Sequence, residues 1–68
     1  MLLALSPMVA VALTRAQEAR DSAAAATSAE EQDFWREMER RWMTLAQSYE
    51  MAERTEAFLA ELRRKALH

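Results

Sequence analysis

The chain has 68 residues, a formal net charge of −2, no glycine, no cysteine and a single proline, Pro7. That length allows one small domain, the missing turn residues exclude a β-rich fold, and the missing thiols exclude a disulfide-stapled scaffold. Acidic and basic residues are interspersed, so there is no basic face and no electrostatic case for nucleic acid as a partner.

An all-α fold remains. Alanine, glutamate, arginine, leucine and methionine dominate the sequence, and all are good helix formers. A chain below roughly 70–80 residues rarely draws more than about 3–5 kcal/mol from its own core. Small domains add disulfides, a metal or a partner. Disulfides are excluded here, and the one histidine, His68, gives a metal little to bind. Association with a second copy or another helical chain is the expected remedy.

Residues 1–13 are strongly apolar, with Leu2, Leu3, Leu5, Met8, Val9, Val11 and Leu13. A secretory signal would open with a basic region, yet the first basic residue is Arg15, after the apolar run. A membrane-spanning helix needs about 20 apolar residues, and this run is shorter. The favoured reading is an apolar arm and helix start that pack on protein, in a cytoplasmic chain that does not engage a membrane. An anchor or export signal is the alternative. Ser6-Pro7 then starts helix 1, since serine caps and proline suits the first helical position. Helix 1 is expected over about 7–26.

Thr27-Ser28 marks a break. Ser28 followed by Glu31 fits the capping box, and Thr27 with Glu30 fits one residue earlier. Glu30, Glu31 and Asp33 at the start of helix 2, and Arg63, Arg64 and Lys65 at its end, complement the helix dipole. Helix 2 is expected over about 29–66. Glu37–Arg41, Glu50–Arg54 and Glu61–Lys65 are acid-before-base pairs at a spacing of four, each worth roughly 0.2–0.5 kcal/mol.

Two stripes then suggest how the helices pack. Trp35, Trp42 and Tyr49 recur every seven residues, and Ala12, Ala16, Ala19, Ala23 and Ala26 form a row of small residues on helix 1. A two-residue break favours an antiparallel pair. Folding there sets Ala19 near Trp35, Ala16 near Met38, Ala12 near Trp42 and Val9 near Leu45. The expected helix–helix seam is therefore Ala12, Ala16, Ala19, Ala23, Trp35, Met38, Trp42, Leu45 and Tyr49. Helix 2 outruns helix 1, leaving Met51, Phe58, Leu59 and Leu62, with Leu2, Leu3 and Leu5 from the arm, as the expected partner interface. The fold class expected over residues 1–68 is an all-α antiparallel helical hairpin, short helix first, completed to a four-helix bundle by dimerisation.

Arg15-Ala16-Gln17-Glu18-Ala19-Arg20, Phe34-Trp35 with Trp42, Leu45-Ala46-Gln47-Ser48-Tyr49-Glu50 and Ala52-Glu53-Arg54 together resemble a family of short uncharacterised helical proteins of rhizobia and other α-proteobacteria. The resemblance spans residues 15–59. Family members often carry cysteine at the position of Ala19 and Thr-Asp-Pro at that of Thr27-Ser28-Ala29, so no thiol role passes to this chain. The resemblance implies a bacterial, intracellular protein and nothing catalytic.

Chemistry-bearing residues are sparse. Glu37, Glu39, Glu50, Glu53, Glu56 and Glu61 read as a solvated face, because the Glu-x-x-His pairs of a di-metal bundle are missing. Glu56 continues the Trp35–Trp42–Tyr49 line, with Arg41 and Arg63 at the seam edges, as long side chains lying along apolar surface. The aromatic stripe lacks the positive groove of a base-stacking platform. Arg63-Arg64-Lys65 reads as a helix terminus answering its dipole. Met8, Met38, Met43 and Met51 read as gap-fillers. No serine or threonine has a histidine in plausible reach, and there is no phosphate-cradling loop. The expectation is a non-catalytic, cofactor-free protein–protein interaction module. The alternatives are an accessory or regulatory subunit of a larger complex, or an exported or membrane-associated chain.

Overall fold

The computed structural model describes residues 6–67, and these form two α-helices: α1, Pro7–Ala25, and α2, Ala29–Ala66. There is no strand among the described residues. The two helices pack against each other as a hairpin.

Each helix begins where the sequence offers a cap. Ser6 has an extended backbone, and its hydroxyl accepts from the Val9 amide at 3.2 Å, with Pro7 filling the first helical position. The capping serine satisfies an amide that the first turn leaves without a partner. Ala26 closes α1 in an extended conformation, its own amide turned back to the Ala23 carbonyl. At Ser28 the hydroxyl accepts from the Glu31 amide at 3.1 Å. The Glu31 carboxylate reaches back to the Thr27 amide at 3.4 Å, one residue beyond the Ser28 amide of the usual box. So two donors at the chain reversal are satisfied by residues that also start α2.

The covered faces differ in character. On α1 the buried residues are Val9, Ala12, Ala16, Ala19 and Ala23. Their spacing of three and four keeps them on one side of the helix. Ala12 is the most enclosed, at 1% exposure. On α2 only Ala46 is buried, while Trp35, Met38, Glu39, Trp42 and Tyr49 are half-buried. Methyl-sized side chains on α1 let the backbones approach, and the larger rings on α2 close over the flanks.

Length sets the rest of the architecture. At about 1.5 Å per residue, α1 is about 28 Å long and α2 about 57 Å, in keeping with a longest axis of 61 Å for the described residues. Roughly half of α2 thus extends past α1. Between Met51 and Leu67 every residue is exposed except half-buried Glu61.

Along α2, Arg41 pairs with Glu37 at 3.2 Å and Arg54 with Glu50 at 2.8 Å. Arg40 also meets Glu37. Glu61 pairs with Arg64 three residues on, in place of the expected Lys65. All of these ion pairs are exposed, so each contributes only a few tenths of a kcal/mol, roughly 0.2–0.5.

Candidate interaction surface

The expected seam residues fall into three groups. Ala12, Ala16, Ala19 and Ala23 are buried. Trp35, Met38, Trp42 and Tyr49 are half-buried. Leu45 sits at the margin, 38% exposed, and the neighbouring Ala46 occupies the enclosed position at 4%. The cause is helical pitch. A straight helix turns 3.6 residues per revolution, so a strict seven-residue row slips by about 20° per repeat. Trp35, Glu39, Trp42, Ala46 and Tyr49 share one arc of about 80° around the helix, the side that faces α1. The row Met38, Leu45, Ala52 and Leu59 starts at the edge of that arc, and each seven-residue step carries it about 20° further towards solvent.

The seam's margins carry shallow grooves. One is lined by Val9, Leu13, Met43, Ala46, Gln47 and Glu50, and is mostly apolar. Another is lined by Arg20, Ala23, Ala24, Gln32, Arg36 and the half-buried Glu39. Counting apolar repeats alone overlooks Glu39 and Ala46; a 3.6-residue count from Trp35 finds both. Neither groove is an enclosed pocket with converging polar groups of the kind that binds small ligands. Among the described residues no group of histidine, cysteine or acidic side chains could hold a metal ion.

Beyond Tyr49 the surface changes. Met51 is 68% exposed and Phe58 61%, and Leu59 and Leu62 are also exposed. Each residue advances about 100° around the helix, so Met51, Phe58 and Leu62 fall on one line with Leu59 beside it. That line lies on roughly the opposite side of α2 from Trp42 and Ala46. The seam face, continued past Tyr49, runs instead through Glu53, Glu56, Ala60 and Arg64. Glu56 and Arg63 are therefore exposed on a bare stretch of helix, and Arg41 is exposed within its ion pair. Leu2, Leu3 and Leu5 lie outside the described residues.

Apolar side chains of this size each gain about 1.5–3 kcal/mol on burial. Four of them along three turns make an apolar strip, interrupted by Thr55, of the kind that marks an interaction surface. No helix among the described residues is long and apolar enough to cross a membrane. Compared with family models, curated proteins and solved structures, the chain matches none.

Proposed function

We propose that this protein is a non-catalytic interaction module that associates with a second copy of itself through the distal half of α2. The observation that carries the reading is the exposed strip Met51, Phe58, Leu59 and Leu62 on a helix that α1 covers for only half its length. A two-helix chain with an alanine-lined seam buries little apolar surface, and a second chain on the strip supplies what is missing. A four-helix bundle of two hairpins side by side is one packing that satisfies this reading.

Size-exclusion chromatography with light scattering tests it. At micromolar concentration the expected mass is about twice the 7.8 kDa of one chain. Replacing Phe58 and Leu59 together with glutamate is expected to reduce that to a single chain while the helical circular dichroism persists. A wild-type chain that runs as a monomer at those concentrations would overturn the proposal.

A further inference from the structure

The order of side chains along the distal half of α2 specifies how the second copy lies, if the self-association reading above holds. The exposed strip occupies positions 51, 55, 58 and 62, steps of four, three and four. That is the spacing of core positions in a paired helix, with Thr55 as its one polar member. One flank of the strip carries Arg54 and Glu61, and the other carries Ala52 and Leu59.

Charge is unevenly divided along the same segment. Residues 50–57 hold three acids, Glu50, Glu53 and Glu56, against one base, Arg54. Residues 58–66 hold three bases, Arg63, Arg64 and Lys65, against one acid, Glu61. A parallel pair sets the acidic half beside the acidic half and the basic half beside the basic half. An antiparallel pair sets each against its opposite, and like-charge juxtaposition is what fixes orientation at such interfaces.

One antiparallel register satisfies the core and the charges together. Met51 falls opposite Leu62 of the second copy, and Thr55 opposite Phe58. In that register Arg54 flanks Glu61 of the second copy, and Ala52 faces its Leu59. The groups needed are accessible: the side chains of Arg54 and Glu61 are 75% and 45% exposed. Because the strip faces away from the α1 seam, α1 does not obstruct the approach. We propose that two copies pair antiparallel along the distal half of α2, Met51 against Leu62 and Thr55 against Phe58, with each Arg54 facing the other copy's Glu61. The assembly is a rod in which the tails of α2 overlap and the two hairpins sit at opposite ends.

Pulsed dipolar spectroscopy on the full chain tests the arrangement, since a chain without cysteine accepts one spin label at a time. Ala57 and Ala66 are both exposed, and Ala57→Cys and Ala66→Cys provide the label sites. Ala57 lies level with the symmetry axis, so its two labels are expected to be separated only by about the width of the helix pair, roughly 20 Å. Ala66 falls opposite Gln47 of the other copy, 19 positions away, which places its labels about 28 Å apart along the axis. Distances set by the width of the helix pair at both sites, with no offset at Ala66, would establish a parallel pair and overturn this orientation. Long distances at both would establish side-by-side hairpins and overturn it as well; either result leaves self-association standing. Absence of any intermolecular distance, with the mass of one chain, would instead sink self-association itself. As a second reading, Arg54→Glu is expected to weaken the dimer roughly fivefold through two symmetric exposed pairs. Adding Glu61→Arg is expected to restore it, and failure of that rescue counts against the register.

Discussion

The ring of Phe34 meets the ring of Trp35 edge to face, with centroids 5.1 Å apart and planes at 79°. The two are neighbours in sequence but belong to different surfaces. Trp35 is half-buried in the seam with α1, and Phe34 is 56% exposed. The contact gives the outer ring a fixed position against the inner one, an arrangement worth about 0.5–1.5 kcal/mol beyond burial.

Replacing the two rings separates these roles. Trp35→Ala is expected to cost about 1.5–3 kcal/mol, from a large side chain withdrawn from the seam. Phe34→Ala is expected to cost less, about 0.5–1.5 kcal/mol, for the lost ring contact alone. Urea unfolding at one fixed protein concentration measures both, with Trp42 as the fluorescent reporter in the first variant. Equal costs would mean that Trp35 takes no special part in holding the helices together.

The alanine row limits how far the helices can separate. Ala16 is 3% exposed, so a larger side chain there must push α2 away or adopt a strained rotamer. Ala16→Leu is expected to destabilise by about 1–3 kcal/mol. Ala24→Leu, at an exposed position on the same helix, is expected to change stability by no more than about 0.5 kcal/mol. Denaturant midpoints distinguish them. A neutral Ala16→Leu would show that the seam is loosely packed.

The chain reversal rests on Ser28 and Glu31. Ser28→Ala removes the acceptor for the Glu31 amide and is expected to cost about 1 kcal/mol. Glu31→Ala removes the acceptor for the Thr27 amide, which lies in an exposed turn where water can replace it, and is expected to cost less. Thermal melts followed by circular dichroism order the two. A larger loss from Glu31→Ala would make the carboxylate, not the hydroxyl, the main determinant of the turn.

The all-helical hairpin with one short and one long helix is legible in the sequence for simple reasons. No glycine or internal proline interrupts either helix, and serine stands before each of them. Finer features follow physics that residue spacing does not resolve. Arg64 and Lys65 are both within reach of Glu61, three and four residues on, and long flexible side chains choose between them by small energies. Glu31 reaches Thr27 past Ser28 because the chain doubles back there, which depends on the packed hairpin. The apolar strip from Met51 to Leu62 can be counted from the sequence, but its position on the side of α2 away from the seam depends on accumulated helical pitch.

The rotation of α2 is decided most sharply at Leu45 and Ala46. Pairing the helices residue by residue from the break puts Leu45 in the seam, whereas Ala46 is the residue enclosed there. Leu45→Ala removes a side chain that already meets solvent, and is expected to cost less than about 1.5 kcal/mol, the lower end for burying such a group. Ala46→Leu forces extra volume into a position that is 4% exposed, and is expected to cost about 1–3 kcal/mol. The smaller residue is thus expected to be the less tolerant of the two, because an enclosed methyl can grow only by displacing its neighbours and a marginal leucine leaves little to lose. Urea unfolding of the two single variants at matched concentration gives the comparison. The reverse order would mean that α2 is rotated by about 100°, one residue's turn, with Leu45 in place of Ala46 facing α1.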